Sequence, residues 1–289
     1  MTKSPGKHPF ALLNASYNTL RANPAALFPL VLLAFIQLLI LEILFFAPRQ
    51  PLSFFFAPII IRTQGEVFMH YPFNFALIAR WFYLLQMPMF VLLGTYFLGC
   101  TVSVIDAINN GKTVKMRSIF RKTSSRYLHL FVAALLMLGV LKVMIMGYDV
   151  LVKRAVQIRS TSGTYFLIKQ AVLTGLPYFR LLMNVVVTTI FAFMIPLIVI
   201  DQKRVFPALI DNFRLLWGSF WFMFVSLILP AIVYLPVIMM KSNKHLFGTE
   251  VFPEVALVLI ILGIVVTTLI ETVQYTAITS YYLLKKESE

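Results

Sequence analysis

The stretch FPLVLLAFIQLLILEILFF (28–46) decides the fold. Only Gln37 and Glu42 interrupt its apolar run. A bilayer core about 30 Å thick is crossed by roughly 20 apolar residues in a helix. A transmembrane barrel strand would instead alternate over about 10 residues, and this stretch does not alternate. It therefore predicts a spanning helix, over 25–46. Five more segments predict the same: 76–105, 128–148, 178–200, 219–240 and 255–284. Together the six cover about half of the chain, which leaves no room for a separate soluble catalytic domain.

The composition agrees. Of 289 residues, 60% are hydrophobic and 12% charged, with a mean hydropathy of +0.87. Soluble domains run nearer 45–50% apolar and about 25% charged. A soluble enzyme, a disordered chain and a disulfide scaffold are excluded. Cys100 is the lone cysteine and falls inside the second span, so it predicts a small buried hydrophobe. The residues before the first span do not have the form of a cleavable signal.

The formal charge is +14. Lysine and arginine mark the cytoplasmic side of membrane proteins and meet anionic lipid there, so nucleic acid is not the expected partner. Six spans put both ends of the chain on one side. The end segments and the 106–127 and 201–218 loops carry Lys3, Lys7, Arg21, Lys112, Lys115, Arg117, Arg121, Lys122, Arg126, Lys203, Arg204, Arg214, Lys285 and Lys286, which is 14 of the 25 basic residues. The expectation is a multi-pass protein of a bacterial inner membrane with both termini cytoplasmic. Lys153, Arg154, Arg159 and Lys169 in the 149–177 loop oppose it.

Three segments resemble one another: FALLNASYNTLRANPAALF (10–28), TVKMRSIFRKTSSRYLHLF (113–131) and FPALIDNFRLLWGSFWFMF (206–224). Aligned without gaps, Tyr17, Phe120 and Phe213 coincide, and each segment runs into a span. Each has helical periodicity. Phe206, Leu209, Ile210, Phe213, Leu216 and Trp217 share one face of the third; Phe10, Leu13, Tyr17 and Leu20 share one of the first; Met116, Ile119, Phe120 and Thr123 share one of the second. Such a helix lies in the headgroup plane with basic residues on lipid phosphate; here Lys115, Arg117, Arg121, Lys122, Arg126 and Arg214 are the expected headgroup contacts. The second span ends in VSVID (102–106) and the fourth in LIVID (197–201). A carboxylate at a helix C-terminus opposes the helix dipole, so Asp106 is expected to pair with Arg117 or Arg121 and Asp201 with Arg214, or else both are solvated loop carboxylates.

The fold class that follows is an all-α polytopic membrane protein. Its six transmembrane helices form three hairpins, each preceded by an in-plane amphipathic helix, in a pseudo-threefold repeat. The chain is one integral membrane domain, 1–289, with units of approximately 8–106, 112–201 and 203–286.

The segment MIPLIVIDQKRVFPALIDNFRLLWGSFWFMF (194–224) carries a family signature. It resembles the membrane domain fused to some bacterial glycerophosphodiester phosphodiesterases, which also stands alone in uncharacterised bacterial inner-membrane proteins. The matching positions are Val205, Ala208, Leu209, Asn212, Phe213, Leu215, Gly218, Phe220 and Trp221. The ending YTAITSYYLLKK (275–286) is similar to that family's aromatic-rich last span. The resemblance implies a six-helix membrane domain without an activity of its own, since the phosphodiesterase chemistry belongs to a soluble domain that these 289 residues lack.

No catalytic constellation is legible. His8, His70, His129 and His245 have no ligand or catalytic partner at useful spacing. Phosphate loops and nucleophile elbows are missing, so neither cofactor nor metal is expected. What remains is polar residues within the membrane, which normally face a bundle interior or cavity. At 1.5 Å per residue, Lys142 lies about 21 Å from its helix's cytoplasmic end, Glu271 about 20 Å, and Glu42 and Asn184 about 25 Å. Thr267, Thr268, Gln274 and Tyr275 share the face of Glu271. Either a Lys142–Glu271 pair, with Glu42 and Asn184 nearby, lines a cavity for a polar or lipid headgroup, or the pair is structural and fixes helix register. Glu42 has a third option, reaching to the outer surface. Arg80 and Arg180, beside Trp81, Tyr83 and Tyr178, either anchor the outer interface or hold a lipid phosphate there. SFFFAPIII (53–61) is too short to span and predicts an outer interfacial or re-entrant segment.

Two functions follow as expectations. The first is a non-catalytic membrane subunit or scaffold working with other membrane, periplasmic or cytoplasmic subunits. The second is a lipid-handling or small-solute transport protein with a polar intramembrane cavity.

Overall fold

The computed structural model describes residues 8–157, 163–242 and 253–288, and all regular structure among them is helical. Helix α1 (Pro9–Ala22) leads through a 3₁₀ turn (Pro24–Leu27) into α2 (Phe28–Phe46). Helix α3 (Ser53–Thr63) and a 3₁₀ turn (Glu66–Met69) precede α4 (Phe73–Met89), which continues through a π turn (Phe90–Gly94) into α5 (Thr95–Asn109). Next come α6 (Met116–Ser124), α7 (Tyr127–Gln157), α8 (Thr164–Thr174), α9 (Leu176–Ile190) and α10 (Met194–Val199). The chain ends with α11 (Val205–Leu216), α12 (Phe220–Ile232), α13 (Leu235–Ser242) and α14 (Glu254–Ser288).

Five helices or helix runs are long and apolar enough to cross a membrane: Pro24–Phe46, Phe73–Asn109, Tyr127–Gln157, Leu176–Val199 and Glu254–Glu287. Helices α11 and α12, which meet at 95°, make a sixth if the bent pair counts as one span. Gly218, at φ +85, makes that corner; a side chain there would be strained. Five or six such helices mark a multi-pass membrane protein.

The spans differ from expectation where proline and glycine act. Pro88 cannot donate a helical hydrogen bond, and the π turn follows two residues later. Pro196 lies in the first turn of α10, just after the break that follows α9, and Pro230 and Pro236 flank the one between α12 and α13. Conversely DVLVKRAVQ (149–157) contains neither residue, and α7 runs on through it. Most of the expected 149–177 loop is therefore helix, in α7 and α8. SFFFAPIII forms α3, which buries Ile60 against Ala47 and Leu77 while Phe54 and Phe55 stay exposed.

The centre of the bundle is made by the ends of three helices. From Phe97 to Ile105, α5 is buried throughout, as are α10 from Met194 to Val199 and α14 from Gln274 to Thr279. Around them packing is cyclic. Helix α2 packs against α5 and α14, α7 against α9 and α5, and α12 against α14 and α9. The short helices follow the same order: α6 on α5, α11 on α10, and α1 on α14. Their buried faces coincide in the gap-free register: Leu12, Ser16 and Leu20 in α1, Ile119 and Thr123 in α6, Ala208, Asn212 and Leu216 in α11.

Two contacts carry this arrangement. A Cβ on Gly99 would stand 3.0 Å from Leu130, 3.1 Å from Thr123 and 3.3 Å from Val199, so α5 meets α7, α6 and α10 at a point with no side chain. At the break after α9, the Asn212 side chain donates to the Ile190 carbonyl (2.7 Å) and accepts from the Phe193 amide (2.9 Å). It satisfies two backbone groups in a site without water access.

Gly99→Leu is expected to cost about 1–3 kcal/mol, the usual range for overpacking. Gly139→Leu, where nothing lies within 4 Å, should leave the melting temperature in detergent unchanged or higher. Asn212→Leu should cost about 1–3 kcal/mol for each backbone group left unpaired. Circular dichroism melts of the three variants against wild type check both statements.

Candidate functional site

A cavity of about 820 Å³ lies between α2, α4, α7, α9, α13 and α14. Its inner end is Leu98, Val187, Gln274 and Tyr275, where α5, α9 and α14 come together. Its other end reaches Leu176, Pro177, Ser242 and Ala256. Nineteen residues of α14 separate Ala256 from Tyr275, so the cavity is about 28 Å deep at 1.5 Å per residue. The walls are mostly aliphatic, aromatic and methionine side chains. The polar groups are few: Gln37, Tyr83, Gln86, Arg180, Asn184, Thr188, Tyr234, Lys241, Ser242, Thr267, Glu271, Gln274 and Tyr275.

Five predicted site residues of the membrane interior meet here with Arg180: Asn184, Thr267, Glu271, Gln274 and Tyr275 line the cavity. The Glu271 carboxylate and the Tyr275 hydroxyl have no hydrogen-bond or ion-pair partner among the described residues. The other polar groups of α14 are already used. Thr267 and Thr268 donate to the carbonyls of Gly263 and Ile264 on their own helix. Gln274 donates to the Leu227 carbonyl at 2.7 Å and ties α14 to α12. Thr268 is not on the cavity wall.

The expected Lys142–Glu271 pair does not form. Lys142 is exposed on the outside of the bundle and does not line the cavity. Helical phase explains this: Leu138, Leu141 and Ile145 of α7 face the cavity, and residue 142 lies about 100° round from 141. Glu42 is likewise exposed on the outer face of α2, whose Gln37 faces inward instead.

Arg80 is exposed and donates to Gln64 at 2.7 Å, outside the cavity. Arg180 is different. Its guanidinium lies 5.6 Å from the centre of the Tyr83 ring, and its Nε is buried without a hydrogen-bond partner. A second cation, Lys241, was not singled out from the sequence. It meets the Tyr234 hydroxyl at 3.3 Å and lies over Gly263, where a Cβ would stand 2.8 Å from its Nζ. Gly263 inside an apolar span was the available signal. Gln37 and Gln86 were missed too, though a glutamine in an apolar run is itself visible.

At the charged end of the bundle, pairing also differs from expectation. Asp106 meets Lys122 of α6 at 3.7 Å, not Arg117 or Arg121. Asp201 accepts from the Tyr282 hydroxyl (2.5 Å) and from Lys286 (2.6 Å), both on α14, and not from Arg214. Lys203 bridges to Asp211 at 2.8 Å. Arg126 donates to Gln202 at 2.6 Å, holding a residue whose backbone sits in the left-handed region at φ 57. Of the expected headgroup contacts, Lys115, Arg117, Arg121 and Arg214 are exposed without an ion pair among the described residues; Lys122 and Arg126 are engaged within the protein. Lys3, Lys7, Arg159 and His245 lie outside the described residues. Groups of three or more histidine, cysteine, aspartate or glutamate side chains able to hold a metal are absent among the described residues.

No family model, curated protein or solved structure matches this chain.

Lys142→Met is expected to leave thermal stability in detergent unchanged or raised. Breaking a buried pair costs about 3–5 kcal/mol; a loss of that size would put Lys142 back inside the bundle.

Proposed function

We propose that this chain is a non-catalytic, multi-pass membrane protein that takes an amphiphilic molecule, a lipid or lipid-like solute, into its central cavity. The observation that carries this reading is the cavity itself. Its volume falls within the range of about 300–1,000 Å³ usual for ligand sites, and its apolar walls carry a few convergent polar groups. The free Glu271 carboxylate and Tyr275 hydroxyl at its inner end support it further, since such groups are costly in a bilayer and mark substrate paths. A scaffold for partner subunits would be served as well by a bundle packed solid.

The proposal includes an orientation and a repeat. The exposed Lys115, Arg117, Arg121 and Arg214 cluster at the end shared by α6 and α11, which fits a cytoplasmic position for that end and both termini, in a bacterial inner membrane. The stripe Phe206, Ile210, Phe213 and Trp217 on α11 is exposed, Trp217 to 90%, beside Arg214. This fits a helix lying in the headgroup plane with its aromatic face in lipid. The cyclic packing supports three units, each an in-plane helix followed by a hairpin, about an axis along the membrane normal. Kinship with the membrane domain linked to glycerophosphodiester phosphodiesterases is part of the same proposal and rests on the 194–224 motif.

Native mass spectrometry of the chain released from mild detergent tests the reading. Wild type should retain one tightly held lipid-sized adduct, and Glu271→Gln should change its occupancy by about tenfold, the effect of about 1.4 kcal/mol. Retention of nothing, or an adduct indifferent to the mutation, would overturn it.

A further inference from the structure

The cavity is polarised along its length. Lys241 lies at the level of Gly263 on α14, and Glu271 is eight residues further along that helix, about 12 Å deeper. Arg180 sits four residues into α9, at the same outer end; Asn184, one turn further, lies between the two charge levels. Both cations face the cavity. Neither has a carboxylate within 4.0 Å among the described residues. Arg180 is held by the face of Tyr83, Lys241 by the Tyr234 hydroxyl. Compare the charged end, where Asp201 alone takes Tyr282 and Lys286. Two cations at one end of an apolar-walled cavity, one with a buried unpaired Nε, form a site lacking its anion.

The wall beside this site is incomplete. Helix α4 packs on α2 and α14 but makes no extensive contact with α7 or α9. Tyr83 and Gln86 of α4 line the cavity and are nonetheless exposed, and the Arg180–Tyr83 contact spans the interval between α4 and α9. Met87, Leu138 and Leu141 line the same side.

Resting on the cavity reading above, we infer that Arg180 and Lys241 form a phosphate site. It receives the head of an anionic amphiphile whose chains leave the bundle sideways between α4 and α7. Arginine offers a planar fork of N–H donors suited to phosphate oxygens, and lysine a compact point charge. Polarity follows from where the cations lie: Glu271 at the inner end offers an anion no partner, so the phosphate stays at the outer level. Asn184, Gln37 and Glu271 then face the uncharged part of the headgroup, where hydroxyls would donate. The head of phosphatidylglycerol has this form, with one net negative charge and free hydroxyls. Phosphatidylcholine carries the same phosphate but is neutral overall and has no donor.

The test is competitive loading of the full chain, stripped of lipid in detergent, followed by native mass spectrometry. The probes are phosphatidylglycerol, phosphatidylcholine with the same chains, and glycerol 3-phosphate. Wild type should retain one phosphatidylglycerol per chain, about tenfold over phosphatidylcholine. Arg180→Gln/Lys241→Gln should abolish that preference, while Arg180→Lys retains part of it. Arg117→Gln/Arg121→Gln removes exposed cations at the opposite end and should leave the single tight lipid in place. Retention of glycerol 3-phosphate as strong as that of the lipid keeps the phosphate site but assigns it to soluble phosphate esters. Equal retention of the two lipids by wild type, or a preference unchanged in the double glutamine variant, overturns the site while leaving the cavity reading intact. If wild type retains none of the three, both readings fail. Should the double variant melt early, the Lys241→Gln single variant carries the same comparison.

Discussion

At residue 99 the chain has no side chain, and three other elements close on the space. Leu130, Thr123 and Val199 all lie within 3.3 Å of where a Cβ would be, so α5 touches α7, α6 and α10 at one point. Helices in a bilayer gain little from hydrophobic exclusion and associate through close packing instead. This contact lets α5 and α10 share the bundle centre with α14, and that centre ends the cavity. Where the three helices converge the interior is solid, from Phe193 against Tyr281 and Tyr282 down to the Asp201 ion pair. Where they diverge, space opens. The cavity follows from joining the bundle firmly at one end only.

Charges follow the same division. At the joined end three aspartates each have a cation: Asp106 with Lys122, Asp201 with Lys286, Asp211 with Lys203. These pairs are partly exposed, so each contributes little by itself, about 0–1 kcal/mol. Their use is geometric. Tyr282 and Lys286 both reach Asp201, which fastens the end of α14 to the turn after α10, and Lys285 reaches the Leu215 carbonyl of α11. In the open half the ionisable side chains on the cavity wall have no such matching. Arg180, Lys241 and Glu271 are spread along its depth rather than neutralising one another, an arrangement that structural packing alone does not require.

The sequence was most legible where one physical constraint dominates. Apolar length identified the long apolar helices: five expected spans fall on helices or helix runs of membrane-spanning length, and 219–240 falls on the shorter α12 and α13. It was least legible where the answer depends on rotation about a helix axis. Lys142 and Glu271 lie at similar calculated depths, but depth does not say which way a side chain faces, and in the apolar stretch of α7 around Lys142 periodicity gives no phase. Gln37 and Glu42 on α2 show the same ambiguity: one faces the cavity, the other lipid. Lys241 was not singled out from the sequence; the missing side chain at Gly263 is what lets it lie against α14. The Asp–cation pairs were legible in kind but not in partner, because Lys122 is a turn from Arg117 and Arg121 is beside it on the same short helix.

The three proposed units share a plan but not their far ends, and the difference accounts for the opening. The first carries α3 between its spans, the second α8, and the third the break between α12 and α13. In the second unit α9 packs on its own α7, on α12 and on α13. In the first, α4 packs on its own α2 and on α14 without extensive contact to α7, although α5, the continuation of the same helix beyond the π turn, does pack on α7. The π turn at Phe90–Gly94 is thus where the first return span changes neighbours. A π turn adds a residue to one helical turn and shifts the phase of everything beyond it. Pro88 and the π turn after it mark the place where the first return span passes from the neighbours of α4 to those of α5, and the Arg180–Tyr83 contact lies on the α4 side of that place.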